Sequence, residues 1–489
     1  MAKPKKPQRP KARRPRGFED RSADSLRAEM DLVARAFAVY ESFGFEPLQT
    51  PAFEYADALG KFLPDEDRPN TGVFSLRDDD EQWLSLRYDL TAPLARFVAE
   101  HYNDLPKPFR RYQSGTVWRN EKPGPGRFRE FVQCDADTVG AGTPASDAEM
   151  IIMAAEVARA AGLADGQFQV KVNNRKLLDG LLETAGVAND AEKRLRTLRA
   201  IDKLDRLGRE GVEALLGEGR EDESGDYTEG AALAPAAIQS VLDFTELAGE
   251  AREPTMATLD RLVGGTARGA DGVAELRAIH DLLSATGYGE DAVAFDTSVV
   301  RGLGYYTGPV YEVELLADIR DAKGRPVRVG SIGGGGRYDD LVSRFRGQPV
   351  PATGFSFGVS RYLTALDRLG KLEQSVQPPV IVCVFDKSLM PDYFRIAQEL
   401  RAAGIRSEVF VGGGNVTKQL KYADRRGAKV ALLMGEDELS AGEVTLKDLE
   451  AGALAAQEIE TNEEWKEARP AQVQVPRGDL VARVKAILG

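Results

Sequence analysis

The sequence is poor in the residues that build disulfide frameworks, histidine-based active sites and metal clusters. Its 489 residues include two cysteines, Cys134 and Cys383, and two histidines, His101 and His280. So few cysteines exclude a disulfide framework and indicate a reducing, cytoplasmic location. So few histidines argue against a Ser-His-Asp mechanism and against a histidine-rich metal site. No apolar run approaches the roughly 20 residues that a membrane-spanning helix requires.

Acidic residues outnumber basic ones over most of the chain. The formal net charge is −12, so any binding of nucleic acid must use local basic patches rather than the whole surface. Residues 1–16 differ, because they are rich in lysine, arginine and proline and contain no acidic residue. Proline blocks helix formation and nothing in this segment can form a core, which predicts a disordered basic tail over 1–16.

The stretch 109–140 carries charged residues at strand spacing. Two β-prone segments flank a Pro/Gly loop at 123–126, which predicts a β-hairpin. Side chains alternate along a strand, so one face of the second strand holds a polar set: Arg127, Arg129, Phe131, Gln133, Asp135 and Asp137. Burying such a face without a partner is costly, which favours a site for a charged ligand. A solvated face with salt bridges is the alternative.

This hairpin resembles a known catalytic element. Arg119-Asn-Glu121, the loop and Arg127-Phe-Arg-Glu-Phe131 look like motif 2 of the class II aminoacyl-tRNA synthetases. The run Gln133-Cys-Asp-Ala-Asp137 is similar to the histidyl-tRNA synthetase version of the second strand.

Other segments fit the same family in chain order. A helix predicted over 22–43, a strand over 45–50 and Pro51 resemble motif 1, which forms the dimer interface in that family, although an ordinary core helix is the alternative. The run from Arg301 to Tyr306 resembles a stretch peculiar to histidyl-tRNA synthetases, but Gly304 replaces the usual aspartate. Residues 354–363 resemble motif 3, with Ser360 in place of a frequent glutamate.

The segment Leu86-Arg-Tyr-Asp-Leu-Thr91 supports two interpretations. It resembles the part of the histidyl enzymes that holds the substrate α-amino group, and a carboxylate with a hydroxyl suits an ammonium ion. Asp89 or Thr91 would alternatively cap the helix that follows.

These patterns predict an α+β catalytic core, an antiparallel sheet with helices, over 17–169 and 288–370. A mainly helical insertion is expected over 170–287, with a solvated, strandless acidic loop at 219–230. Strands and helices alternate from Pro378, which predicts an α/β domain over 378–489 with a largely parallel sheet. This last domain resembles the anticodon-binding domain of the histidyl class.

The resemblance implies ATP-dependent activation of histidine to histidyl-adenylate and transfer to the 3′ end of tRNA(His). It further implies a cytoplasmic homodimer without membrane attachment, and Mg²⁺ accompanying the ATP phosphates. The alternative is a catalytically idle paralogue that acts as a histidine- or tRNA-sensing regulatory subunit.

Roles for individual residues follow from the same resemblance. Arg119 and Arg301 would be catalytic beside the α-phosphate, and Glu121 would hold the adenine end. Arg127 and Arg361 would bind the outer phosphates, and no side-chain metal ligand is expected. The histidine pocket would comprise Asp89, Thr91 and Gln133 at the α-amino group, Asp137 and Tyr306 at the imidazole, and Tyr305.

Overall fold

The structure is a computed structural model. It describes residues 10–489 apart from 63–71, 125–127, 202, 222–225, 248, 250, 301, 303–304, 317–329, 369–375 and 453–470. The chain divides into two compact units, Met1–Glu373 and Gln374–Gly489.

The strands of the first unit form one large sheet and two small ones. In chain order they are β1 Glu46–Pro47, β2 Phe53–Tyr55, β3 Ser75–Arg77, β4 Trp83–Leu86, β5 Phe109–Trp118, β6 Glu130–Val139, β7 Phe168–Asn174, β8 Gly219–Glu221, β9 Tyr227–Glu229, β10 Val293–Phe295, β11 Pro309–Leu315, β12 Ser331–Arg337 and β13 Ala352–Phe357.

The large sheet has eight strands in the order β1-β5-β6-β13-β12-β11-β7-β10. The two edge strands pair in parallel and the interior pairs are antiparallel. Strands β2, β4 and β3 form a separate antiparallel sheet. The predicted antiparallel α+β core is confirmed.

Helices pack against the large sheet and fill the segment between β7 and β10. In chain order they are α1 Ala23–Ser42, α2 Thr91–Glu100, α3 Pro144–Ala160, α4 Arg175–Thr184, α5 Ala191–Ile201, α6 Leu204–Leu216, α7 Pro235–Thr245, α8 Arg252–Val263, α9 Ala267–Ala285, α10 Asp340–Arg346 and α11 Val359–Arg368.

The first helix forms where the sequence predicts it. The Ser22 side chain accepts a hydrogen bond from the backbone N–H of Ser25, and Tyr40 is fully buried on the core side. Gly44 then turns the chain with a φ of 78°. The strand predicted over 45–50 is wrong in length, because only Glu46–Pro47 pairs with β5. One further backbone hydrogen bond, from the Leu48 N–H to the carbonyl of Tyr112, closes this short ladder.

The β5–β6 hairpin follows the predicted alternation. Val132, Cys134 and Ala136 enter the hydrophobic core below the sheet. The intervening residues of β6, including Gln133 and Asp137, point to the other face. The hairpin therefore has one apolar face for packing and one polar face for a ligand.

The helical segment begins after a strand of the large sheet. Strand β7 lies between β11 and β10, so helices α4 to α9 leave the sheet at Asn174. The expectation of a strandless acidic loop at 219–230 is wrong, because β8 pairs with β9. Arg196 of α5 anchors this hairpin by donating to Glu229 and to the carbonyl of Gly230, so tertiary contacts override a polar local sequence.

The second unit is a smaller α/β domain. Its elements are β14 Val380–Val382, α12 Met390–Ala402, β15 Ser407–Val409, α13 Val416–Arg425, β16 Val430–Leu433, α14 Glu436–Ala441, β17 Glu443–Asp448, β18 Gln472–Pro476 and α15 Leu480–Leu488.

Only part of the sheet in this unit is parallel. Its order is β15-β14-β16-β17-β18, and β14 runs parallel to both of its neighbours. The other two pairings are antiparallel, so the expectation of a largely parallel sheet is wrong for this half. Gly442, with a φ of 70°, ends α14 and returns the chain directly into β17. Neither unit has, in its described part, a helix long and apolar enough for a membrane crossing.

Candidate active site

A cavity of about 720 Å³ lies over the polar face of the large sheet. It brings together all the predicted site residues that the structure describes: Asp89, Thr91, Arg119, Glu121, Gln133, Asp137, Tyr305, Tyr306 and Arg361. Arg127 and Arg301, predicted to contact phosphates, lie outside the described residues, as does Gly304. Residues more than 200 positions apart in sequence thus line one space.

Glycines of strands β12 and β13 allow close packing beneath the cavity. A Cβ atom on Gly354 would lie 2.0 Å from Oδ1 of Asp137, and one on Gly335 would lie 1.9 Å from the carbonyl oxygen of Gly354. Real Cβ atoms do not approach other atoms this closely. The glycine run therefore allows the neighbouring strands and the acidic side chains of β6 to lie close together.

Asp89 performs the capping role that the sequence left as an alternative. Its Oδ1 accepts hydrogen bonds from the backbone N–H groups of Thr91, at 3.2 Å, and Ala92, at 2.9 Å. Both Asp89 and Thr91 also line the cavity. The cap holds the carboxylate at the cavity wall, so capping and ligand binding are compatible roles for this side chain.

The cavity floor presents hydrogen-bond acceptors that lack donors. Two buried oxygens, Gln133 Oε1 and Asp135 Oδ1, have no hydrogen-bond partner among the described residues, and Asp137 Oδ2 has an ion pair with Arg111 but no hydrogen bond. Buried polar atoms left unpaired are costly, which indicates that a ligand supplies the missing donors. A ligand with several N–H groups fits this floor.

Arg111 supports the floor from the neighbouring strand β5, directly opposite Asp137, and was not recognised from the sequence. It is fully buried, and its Nη2 donates to the carbonyl of Leu90 at 2.8 Å. The same nitrogen lies 2.9 Å from Asp137 Oδ2, an ion pair without the alignment of a hydrogen bond. Burial raises the pKa of Asp137, and Arg111 and a hydrogen bond from the Tyr338 hydroxyl oppose that rise.

Asp135 is the second residue that sequence reasoning missed. It was placed on the polar face of β6 but was given no role. Burial, followed by the nearby charge of Asp137, raises the pKa of Asp135 to about 8, while Arg111 acts in the opposite direction. A carboxyl group that titrates near neutral pH beside a cavity is a common feature of functional sites.

Arg119 is held between two aromatic rings. Its guanidinium lies 4.3 Å from the ring centre of Tyr88 and 5.1 Å from that of Phe131. Its Nε donates to the carbonyl of Tyr88 at 3.4 Å, and the Tyr88 hydroxyl donates to Glu121 at 3.2 Å. Stacking fixes the plane of the guanidinium, whose fork of donors matches phosphate oxygens.

Arg361 also lines the cavity, from the first turn of α11. Its Nη1 donates to the carbonyl of Ser331 at 2.8 Å. The neighbouring Ser360 accepts a hydrogen bond from the backbone N–H of Val132 at 3.0 Å. Ser360 therefore ties α11 to β6, in addition to lining the cavity.

The cavity combines stacked and ordered arginines with an acidic floor. No cysteine or histidine is among the described lining residues, and the described part of the chain holds no cluster of three or more acidic, cysteine or histidine side chains suited to a metal ion. The arrangement suits a reaction that depends on positioning and on charge stabilisation of an anionic ligand.

Comparison with known proteins gives a consistent result for the whole chain. Residues 17–362 match the family model for histidyl-tRNA synthetase, and residues 379–486 match that for the anticodon binding domain. The chain is 58% identical to histidine–tRNA ligase of Rhizobium leguminosarum, over 99% of this chain and 97% of that protein. It is 56% identical to the Caulobacter vibrioides ligase, over 98% and 97%.

A solved structure agrees with this relationship. The histidyl-tRNA synthetase from Nostoc sp. PCC 7120 has a TM-score of 0.72 and 29% identity, covering 98% of this chain and 100% of that chain. The family match spans the large sheet and its cavity as well as the C-terminal unit. This chain belongs to the histidyl-tRNA synthetase family.

Proposed function

We propose that the cavity above the large sheet is where this chain activates histidine with ATP and then transfers the histidyl group to tRNA(His). As a member of its family over nearly its full length, the chain is a class II aminoacyl-tRNA synthetase. The observation that carries the assignment of the site is the pairing of a stacked arginine with a floor of unpaired acceptors in one cavity.

The reaction consists of two nucleophilic displacement steps. In the first, a carboxylate oxygen of histidine attacks the α-phosphorus of ATP, and the bond to pyrophosphate breaks with its electron pair. In the second, a hydroxyl of the terminal tRNA ribose attacks the histidyl carbonyl carbon, and AMP leaves. Neither step requires an enzyme nucleophile, which suits the lining described above.

We assign the ATP-binding end of the cavity to the stacked Arg119 and to two further lining side chains. Arg119 would stabilise charge on the α-phosphate, Glu121 would hold the adenine end, and Arg361 would bind the outer phosphates. The phosphate-binding roles given above for Arg127 and Arg301 stay predictions. Asn173 of β7 donates to the carbonyls of Thr297, at 3.1 Å, and Val299, at 3.0 Å, which anchors the backbone leading to position 301.

The histidine end is assigned to the acceptor floor. Asp89, Thr91 and Gln133 would receive the α-ammonium group, because each offers an oxygen that can accept its N–H bonds. Asp137 and Tyr306 would read the imidazole, and Tyr305 would close the pocket beside them. The Tyr305 ring packs edge-on to Tyr306, with ring centres 5.1 Å apart, and 5.9 Å from Tyr338.

Three further properties are proposals from the family. We propose a homodimer through α1, where Met30 is 65% exposed on a helix that resembles motif 1. We propose a cytoplasmic location, consistent with two free cysteines. Magnesium would arrive with the ATP phosphates, and because the described residues hold no cluster of three or more acidic, cysteine or histidine side chains, we assign it no residue and no step.

The regulatory alternative has no observation in its favour. A sensing paralogue is expected to have lost the C-terminal domain and the motif residues. Here the anticodon-binding match extends to residue 486, and Arg119, Gln133 and Arg361 are in the cavity.

Removal of residues 378–489 should separate the two half-reactions. The catalytic cavity lies within the first compact unit, so histidine-dependent ATP–pyrophosphate exchange should persist in the truncated protein. Charging of tRNA(His) should fall at least about tenfold, because the binding energy of the second module is lost. Radiolabelled histidine charging measures the effect, and the exchange assay on the same sample checks folding. Equal charging by both proteins would contradict an anticodon-binding role for this unit.

Substitution of Gly354 by alanine should impair histidine use selectively. The new Cβ would lie 2.0 Å from Asp137 Oδ1 and displace that carboxylate. Overpacking of this kind typically costs 1–3 kcal/mol, so we expect KM for histidine to rise about tenfold or more while KM for ATP stays unchanged. Gly478→Ala is a matched control, because its Cβ meets no atom within 4 Å. An unchanged histidine KM in Gly354→Ala would exclude Asp137 from the pocket.

A further inference from the structure

Ser356 links two residues of the cavity floor. It lies on β13 directly opposite Asp135 of β6, and both side chains line the cavity. Its Oγ accepts a hydrogen bond of 2.6 Å from Nε2 of Gln133. As cross-strand neighbours on the cavity face, Ser356 and Asp135 are placed for the serine hydroxyl to donate to the carboxyl, an interaction that opposes the rise of that group's pKa. Gln133, Ser356 and Asp135 therefore form a short polar chain.

The number of protons available fixes which groups donate and which accept along these hydrogen bonds. A serine hydroxyl has one proton, and an ionised carboxylate can only accept. With the Ser356 proton directed to Asp135, Oγ can only accept from Gln133, which must present its NH₂ group to the serine. The amide oxygen then points away from Ser356. That atom, Gln133 Oε1, is buried and has no partner among the described residues.

We propose that Ser356 and Asp135 are positioning residues that orient the Gln133 amide so that Oε1 receives the α-ammonium group of histidine. An ammonium offers only N–H donors, so the opposite amide orientation would place donor against donor. The inference rests on the proposed function, because it concerns how that function's substrate is held. It also gives a role to the buried Asp135 carboxyl, to which no substrate atom is assigned above.

The charge of Asp135 controls the direction of the hydrogen bonds between Gln133, Ser356 and Asp135. The charged and titratable groups that face it are Asp137 on β6, Arg111 on β5, and Arg87 and Asp89 from the segment before α2. With its pKa raised to about 8, Asp135 exchanges its proton near neutral pH, so both the protonated and the ionised forms are populated in the free protein. A protonated Asp135 can donate to Ser356, which frees the serine proton for Gln133 Oε1 and reverses the amide. Binding of the ammonium favours the ionised form, so a proton should be released.

The first test compares two ligands that differ only in the α-amino group. Calorimetric titration of Ser356→Ala should show histidine bound about tenfold more weakly than by the intact chain, the effect of one hydrogen bond to a charged group. Imidazolepropionic acid, which lacks the amino group, should bind both proteins equally. Equal weakening of both ligands, or of neither, would overturn the positioning role.

Ser114→Ala is the matched control. Ser114 pairs with Cys134 and so lies on the opposite face of the sheet, where its hydroxyl donates to the backbone carbonyl of Gln133 at 3.1 Å. This variant loses a hydroxyl beside the same residue without touching its amide, so both ligands should bind as in the intact chain. Weakening that matched Ser356→Ala would indicate a general effect on the strand and overturn the proposal.

The second test measures the proton. Titrations near neutral pH in buffers of different ionisation enthalpy should show that the intact chain releases more protons on binding histidine than Asp135→Asn does. Equal proton release by the two proteins would show that Asp135 takes no part in orienting the Gln133 amide. Histidine-dependent pyrophosphate exchange by the intact protein reports the proposed function separately. If exchange is absent, the proposed function is wrong. If exchange is normal but Ser356→Ala changes the affinities for histidine and imidazolepropionic acid to the same extent, only the positioning role is wrong.

Discussion

Replacement of Arg119 by alanine is expected to slow formation of histidyl-adenylate by about 10²- to 10³-fold, the typical cost of removing one preorganised charge-stabilising group. The rings of Tyr88 and Phe131 hold the guanidinium on both sides. Its orientation is therefore set before ATP arrives, and little reorganisation is needed during reaction. Arg119→Lys should restore little activity, because an ammonium group lacks the planar fork and the stacking surface.

Rapid-quench measurement of single turnovers can follow adenylate formation apart from transfer to tRNA. Transfer from preformed adenylate should suffer less, since the α-phosphate is then part of the leaving group. Arg77→Ala is a suitable control, because Arg77 also stacks on an aromatic ring, at 5.0 Å from Trp83, but does not line the cavity. A normal adenylation rate in a folded Arg119→Ala protein would remove Arg119 from the catalytic residues.

Replacement of Asp137 by alanine is expected to weaken histidine use by about 10²-fold or more, because a site built to bond an N–H loses its acceptor. The carboxylate lies on the cavity floor and is held by Arg111 and by the Tyr338 hydroxyl. Its removal also leaves the buried Arg111 charge without its ion-pair partner, so stability should fall as well. KM for ATP should change little.

Steady-state pyrophosphate exchange measures both KM values, and a second variant separates recognition from stability. Asp147 forms an equally buried ion pair with Arg337 but does not line the cavity. Asp147→Ala should therefore lower the melting temperature and leave the histidine KM unchanged. An Asp137→Ala protein with a normal histidine KM would assign Asp137 a structural role instead.

Much of the site could be predicted from local patterns. The alternation of β6 is enough to place Gln133 and Asp137 on one face, because apolar residues at the intervening positions demand a core on the other. The start of α1 likewise follows from its N-terminal serine, but its buried side departs from the apolar pattern, because Leu26 and Met30 are exposed whereas Glu29 is buried.

The supporting residues could not be found in this way, because they depend on pairings between distant segments. Arg111 is significant only because the hairpin register places it opposite Asp137. Ser356 is separated from Gln133 by 223 positions, and only the pairing of β13 with β6 brings them together. The register of one strand against another follows from the packing of the whole sheet, which a single local pattern does not contain.

The same reason accounts for the strands that were missed. Strands β8 and β9 are short and polar, and their pairing is supported by Arg196 from a different helix. The glycines of β12 could be read as allowing close approach of a ligand. The structure adds that they allow close approach of β13, since a Cβ on Gly335 would collide with the Gly354 carbonyl.

The most direct test of the account is ATP–pyrophosphate exchange by the purified chain with each standard amino acid in turn. Exchange measures amino acid activation without tRNA, so it reports on the cavity alone. The account predicts exchange that depends on histidine and is reduced about 10²- to 10³-fold in Arg119→Ala. A folded chain that binds histidine but supports no exchange with it would contradict the account and favour a sensing protein.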